Sequence, residues 1–117
     1  IVEHAAARAP QFQARLAALR AHPLVGEARG LGLIGGVELV ADKKTKRSFA
    51  GEHGVGARAV AFAEAEGLIV RSVIGDVITL CPPLIISAAE IDALFDRLTR
   101  ALDRTLDWVS RERLAQG

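Results

Sequence analysis

GLIVRSVIGDVITLCPPLIIS, Gly67 to Ser87, is the least polar long stretch of the chain, and its punctuation decides how the rest folds. Two apolar, β-branched runs, LIVRSV and VITLC, are separated only by IGD, so they read as two strands joined by a tight turn with Gly75 in it. Pro82 and Pro83 end the ladder, because proline has no amide to donate. Ser87 then opens a helix. In SAAE, Ser87 and Glu90 stand at the capping-box spacing, where each side chain satisfies an amide left unpaired at a helix start. Beyond them Ile91, Leu94, Phe95, Leu98, Leu102 and Leu106 recur at three and four, which carries the helix toward Trp108 or Val109.

Upstream, the same signals appear in the same order. From His53 to Glu66, Val55, Ala59, Phe62 and Ala63 lie along one helical face, and Gly67 is the stop. Asp42 to Glu52 is polar and reads as a surface loop. LIGGVELVA, with Glu38 as its only charge, reads as a strand, and a strand from about Val25 to Arg29 precedes it as its hairpin partner. Ile1 to Ala21 carries a helical stripe of Val2, Ala5, Ala9, Phe12, Leu16 and Leu19. Pro10 interrupts that stripe and predicts a kink, or two shorter helices meeting near residue 10. His22 before Pro23 ends the segment, since residues ahead of proline are pushed toward extended geometry. Helix, two strands, helix, two strands, helix predicts an α+β fold: a small antiparallel or mixed sheet of about four strands packed against three helices.

At 117 residues the expectation is one domain, residues 1–117. Half of the residues are hydrophobic and a quarter charged, the balance of a folded globular chain. The net charge of +1 gives no field that would call for nucleic acid or an anionic membrane, and the basic run KKTKR at 43–47 has no interleaved aromatics to stack on bases. No apolar run approaches the ~18 residues of a spanning helix. One cysteine, Cys81, makes no intramolecular disulfide, so the expected setting is cytoplasmic. The sequence contains no methionine and opens on what already reads as helix, so it is expected to be a fragment or a processed product.

Motifs that would carry chemistry are absent or out of context. Gly30, Gly32 and Gly35 satisfy G-x-G-x-x-G, but strand rather than helix follows them, which favours glycines of a tight hairpin or of close strand-to-helix packing. His4, His22 and His53 are scattered without ligand spacing, so no metal site is expected. Cys81, in an apolar strand, reads as a buried and inert thiol. Arg71 stands out. If residues 69–73 form a strand, Ile69, Arg71 and Val73 share a face, and the short turn places Thr79 or Leu80, not Asp76, across from the arginine. Two readings stay open on residue physics: a guanidinium snorkelling to the sheet rim, or one that binds a carboxylate in bidentate fashion.

The blocks HPLVGEARGLGLIGGVELVADKKTKRSF, GLIVRSVIGDVITLCPPLIIS and AEIDALFDRLTRALDRTL, in this order and spacing, resemble the C-terminal small domain of the class III pyridoxal-phosphate aminotransferases, most closely the ω-transaminase and β-alanine:pyruvate branch. The resemblance covers nearly the whole chain. It implies the C-terminal domain of a fold-type I enzyme, homodimeric when whole, with residues 1–22 as a helical segment leading from a large domain. The implied reaction moves an amino group between an amine or amino acid and a 2-oxo acid.

In the family the cofactor lysine and the phosphate-binding residues belong to the large domain and have no counterpart here. The resemblance therefore implies pyridoxal 5'-phosphate in the full-length enzyme, none bound to this chain, and no catalytic, cofactor-binding or metal residues within it. Lys43, Lys44 and Lys46 sit in the charged loop, whereas a Schiff-base lysine needs a desolvated site to lower its pKa. Carried over by position, Arg71 matches the arginine that binds the substrate carboxylate as a mobile clamp, while Gly75, Asp76, Pro82, Pro83 and Leu84 read as scaffold. Arg29 to Leu33 reads as packing near the domain junction. By itself the chain is expected to be inactive and to expose apolar surface where the large domain docks. A freestanding small-carboxylate-binding module and a structural or oligomerisation domain are the alternative readings.

Overall fold

Four strands form one antiparallel sheet, and the order of its strands sets what each face can do. The computed structural model describes residues 1–116. Its elements are α1 (Val2–Ala18), β1 (Val25–Leu31), β2 (Ile34–Leu39), α2 (Val55–Ala65), β3 (Arg71–Val73), β4 (Val77–Leu80) and α3 (Ala88–Glu112). Single 3-10 turns occupy Leu19–Ala21 and Gly51–His53. The sheet order is β1-β2-β4-β3, so β1 and β3 are its edges. This is the expected α+β arrangement, with every strand pair antiparallel.

Alternation along the strands sorts side chains to two faces. Ala28, Val37, Leu39, Ile78 and Leu80 are buried against the helices. Leu31, Ile34 and Val73, on the other face, are exposed. The helical layer is held by long apolar side chains: Phe12 and Leu16 from α1, and Ile91, Phe95, Leu98 and Leu102 from α3, all at most 1% exposed. Phe12 and Phe95 meet edge to face, with ring centroids 5.1 Å apart and planes at 67°. Around that pair Arg15 bonds Asp92 at 3.0 Å and Asp96 at 2.8 Å, which ties α1 to α3 at the surface.

The capping box forms as the spacing predicts. The Ser87 hydroxyl accepts from Glu90 N at 3.1 Å, and Glu90 Oε1 accepts from Ser87 N at 3.0 Å. Beyond it α3 extends past Val109 to Glu112, because the buried stripe continues through Ala101, Thr105 and Val109. Thr105 is buried, and its hydroxyl donates to Ala101 O one turn back at 2.7 Å.

Four expectations need correction. Helix α1 runs as one element through Pro10, so of the two alternatives, a kink or two shorter helices, the second does not hold. The proline removes one amide, but Phe12 and Leu16, fully packed just beyond it, hold the next turn in place. The 42–52 loop is not wholly at the surface: Phe49 is buried, and Asp42 pairs with Arg47 to close the segment before it. The third strand begins at Arg71 instead of Leu68, since α2 ends only at Ala65 and Gly67, at φ +85°, turns the chain back toward the sheet. Within α2, Val55, Ala59 and Ala63 are buried as expected, but Phe62 is only half-buried, with Arg104 stacked 4.6 Å from its ring centroid.

The outer edge of β1 is occupied by side chains. Arg20 Nε donates to Ala28 O at 2.9 Å and to Glu27 Oε1 at 3.1 Å. Glu27 Oε1 also accepts from Ala28 N at 2.9 Å, and Lys46 Nζ donates to Gly26 O.

Four carboxylates, Glu90 exposed and the other three half-buried, are held below their ordinary values, 4.5 for glutamate and 3.8 for aspartate. Backbone amides are the main cause for Glu27 (Ala28 N), Asp42 (Lys44 N) and Glu90 (Ser87 N). For Glu66 the main cause is Arg100, at 2.8 Å, with Arg104 at 3.3 Å adding to it. A folded-state pKa below the unfolded one contributes stability above the unfolded value, and that stability is lost as pH falls through the folded value. The urea midpoint of this chain is therefore expected to fall on acidification from about pH 5 downward, and Glu66→Gln is expected to flatten that acid limb. An unchanged slope in the variant would show that the Glu66 bridge to α3 is not formed in solution.

Candidate functional site

Arg71 is the first residue of β3, and its place follows from three ladder pairs: Arg71 with Thr79, Ser72 with Ile78 and Val73 with Val77. The pairing with Thr79 is one of the two that the short turn allows. Since Ile78 is buried, Ser72 faces the helices, and Arg71 and Val73 face the open side. Arg71 is exposed, and its side chain makes no hydrogen bond or ion pair among the described residues. Its carbonyl accepts from Thr79 Oγ1 at 3.4 Å.

Asp76, the only acid between Leu68 and Ser87, is engaged elsewhere: its Oδ1 accepts from Gly56 N at the start of α2, at 2.9 Å. The rim-snorkelling reading would give the guanidinium a protein partner or leave it exposed, and here it is exposed. A neighbouring acid does not neutralise it.

Following the registers outward from Arg71 gives a row across the open face: Arg71, Thr79, Gly36, Arg29. Gly36 contributes no side chain, so the middle of the row is low. Arg29, at the far end, is exposed. Aliphatic side chains flanking both ends are also exposed: Ile69 at 88% and Val73 at 53% near Arg71, Ile34 at 60% and Leu31 at 85% near Arg29. A cationic group amid uncovered aliphatic side chains is suited to binding an anion once something else closes the site, because desolvation strengthens the charge-assisted bond.

Beside β3 lies a groove of about 440 Å³, lined among others by Leu68, Ile69, Pro82, Glu90 and Arg97. Cys81 lines it too, and this overturns the expectation of a buried thiol: Cys81 is exposed. The reason is that β4 ends at Leu80, so the cysteine sits one residue past the last buried position, on the open side.

Two of the three lysines are loop latches. Lys43 Nζ donates to Arg20 O and, at 2.9 Å, to His22 O, and Lys46 Nζ holds Gly26 O. Sequence alone shows these amines only as a charged run, because their partners are carbonyls of distant residues. The histidines serve as local fasteners. His22 Nδ1 accepts from Leu24 N at 3.2 Å, which leaves Nε2 to donate to Asp103 Oδ1 at 2.8 Å. His4 Nε2 bonds Ile86 O at 2.6 Å. No group of three or more His, Cys, Asp or Glu suited to a metal ion occurs among the described residues. No helix among them is long and apolar enough to cross a membrane.

The glycine pattern is structural, as its context indicates. Gly32 takes φ +62° at the first position of the two-residue β1–β2 turn, where an L side chain would be strained. A Cβ at Gly35 would stand 2.7 Å from Leu16 Cδ2, so this glycine lets α1 lie directly on β2.

The family model for aminotransferase class-III matches residues 1–102. The chain is 38% identical, over all 117 of its residues, to a probable γ-aminobutyrate transaminase 3, mitochondrial, of Oryza sativa subsp. indica, and covers 23% of that protein. It is 43% identical over 97 residues to a putrescine–pyruvate aminotransferase of Pseudomonas aeruginosa, which takes in 83% of this chain and 21% of that one. In structure it superposes with a TM-score of 0.87 on a PLP-bound aminotransferase mutant from Vibrio fluvialis, at 36% identity, covering 92% of this chain and 24% of that one. The chain thus spans about a quarter of the length of these relatives. A match over most of its length, in both sequence and fold, shows that the chain belongs to the class-III aminotransferases.

Proposed function

We propose that this chain is the C-terminal small domain of a pyridoxal-phosphate-dependent aminotransferase. The enzyme moves an amino group between an amine or amino acid and a 2-oxo acid, and Arg71 holds the substrate carboxylate. The observation that carries this reading is the exposed Arg71 side chain, without a partner among the described residues, on an open apolar sheet face. A guanidinium presents parallel N–H donors to a carboxylate, and its long stem exchanges that partner for water with little backbone movement. The same site therefore suits acids with the arginine turned in and apolar amines with it turned out.

The residues present do not make a site for the cofactor. Lys43 and Lys46 are bound to backbone carbonyls, and Lys44 lies in the same exposed loop. In this proposal the cofactor and the proton-moving groups belong to a large domain that meets the open face, residues 1–22 lead from that domain, and the whole enzyme is a homodimer. A cytoplasmic setting goes with the reading, although the rice relative is named mitochondrial.

The test is turnover of an amine donor with pyruvate by the full-length gene product and by this chain alone, each supplied with pyridoxal phosphate. The full-length protein is expected to be active and this chain inactive. Turnover by the chain alone, or none by the full-length protein with any of a panel of amines, would overturn the proposal.

A further inference from the structure

Strand β3 is three residues long and lies at the sheet edge, so its ladder to β4 is a weak device for fixing the residue that opens it. A second device is visible at the other end of the hairpin. The turn between β3 and β4 is Ile74, Gly75 and Asp76, with Gly75 at φ +91° and Asp76 at φ +56°. Asp76 is bonded on both sides. Its Oδ1 accepts from Gly56 N at 2.9 Å, in the first turn of α2, and its carbonyl accepts from Leu39 N at the end of β2 at 3.0 Å.

The residue Asp76 meets is also specific. Helix α2 has Gly54 at its N-cap position, with no side-chain cap of its own, so the carboxylate of Asp76 serves one of the amides that a helix start leaves unpaired. Gly56 is buried, and a Cβ there would lie 3.0 Å from Asp76 Cα, 3.1 Å from Asp76 Oδ1 and 3.3 Å from Ser72 Cβ. The absence of a side chain at residue 56 lets the helix end, the turn and the residue next to Arg71 touch.

We infer that Asp76 is a positioning residue for the carboxylate site: by fastening the β3–β4 turn to the start of α2, with Gly56 as its seat, it fixes where Arg71 stands. The inference rests on the reading of Arg71 as the carboxylate binder. A displaced turn would leave the chemistry elsewhere in the enzyme intact and would misplace only the guanidinium, so its effect falls on substrates that carry a carboxylate. Asparagine keeps a side-chain oxygen to accept from Gly56 N and tolerates positive φ, whereas alanine does neither.

The experiment uses the full-length enzyme and measures KM and kcat for pyruvate, and separately for an amine donor without a carboxylate. The variants are Asp76→Ala, Asp76→Asn, Gly56→Ala and Arg71→Ala, with thermal midpoints recorded for each. Asp76→Ala and Gly56→Ala are expected to raise KM for pyruvate about tenfold with kcat and the amine KM little changed, and Asp76→Asn to stay near wild type. Equal losses on acid and amine in Asp76→Ala, or an unchanged pyruvate KM there while Arg71→Ala raises it, would overturn the positioning role. An unchanged pyruvate KM in Arg71→Ala would instead remove the carboxylate reading beneath it. If Asp76→Ala does not fold, Gly56→Ala and Asp76→Asn decide: a raised pyruvate KM in the first and not the second supports the role, and any other pattern defeats it.

Discussion

Arg71→Ala in the full-length enzyme is expected to raise KM for a 2-oxo acid by roughly 10- to 10²-fold, as removal of a charge-assisted bidentate bond of about 1.5 to 3 kcal/mol implies. The effect falls on binding, because Arg71 stands on an exposed sheet face away from any proton-moving group of this chain, so kcat at saturating acid should change far less. An amine without a carboxylate gives the arginine nothing to hold, and its KM is expected to stay within about twofold. Arg71→Lys should recover only part of the loss, since an ammonium offers a point charge where the guanidinium offers a planar fork. Steady-state kinetics with the two substrate classes decides the matter. Acids and amines equally well used by Arg71→Ala would leave the domain a structural role only.

Phe95→Ala is expected to be the most damaging single change to the fold of this chain, lowering stability by about 3 to 5 kcal/mol. The ring is fully buried where α1 and α3 meet, its edge-to-face partner Phe12 loses its contact with it, and the cation of Arg15, 5.6 Å from the ring centroid, loses its π face. Against a total of about 5 to 15 kcal/mol for a domain of ordinary stability, that loss is a large part of the margin. Urea unfolding followed by circular dichroism measures it. Phe95→Leu, which keeps much of the volume, should lose well under half as much. A loss below about 1 kcal/mol for the alanine variant would mean that the α1–α3 contact collapses around the gap.

The elements were legible where local chemistry has one answer. The SAAE cap, the two short turns and the three-and-four spacing of α3 each point one way, and IGD is short enough to put Thr79 or Leu80 opposite Arg71, of which Thr79 is the partner. Pro10 left two separate helices open because propensity counts only the lost amide, while Phe12 and Leu16 pack the turn beyond it. Phe49 and Cys81 were misplaced for one reason: burial at a single position in a loop or past a strand end depends on what crosses it in space, and no periodicity records that. Within the candidate site the arginine was visible because a lone charge in an aliphatic run is conspicuous. The Asp76 contact with Gly56 was not, because a bond across 20 residues between a turn and a helix start leaves no mark on spacing.

The occupied edge of β1 bears on how this chain meets others of its kind. A strand arriving to extend the sheet on that side needs free amides and carbonyls at alternate residues. At Gly26 the carbonyl is taken by Lys46, and at Ala28 both groups are taken, by Glu27 and Arg20. A newcomer pairing at Gly26 and Ala28 would first have to displace three charged side chains. The first half of the β1 edge is thereby blunted against pairing with another strand by the protein's own side chains.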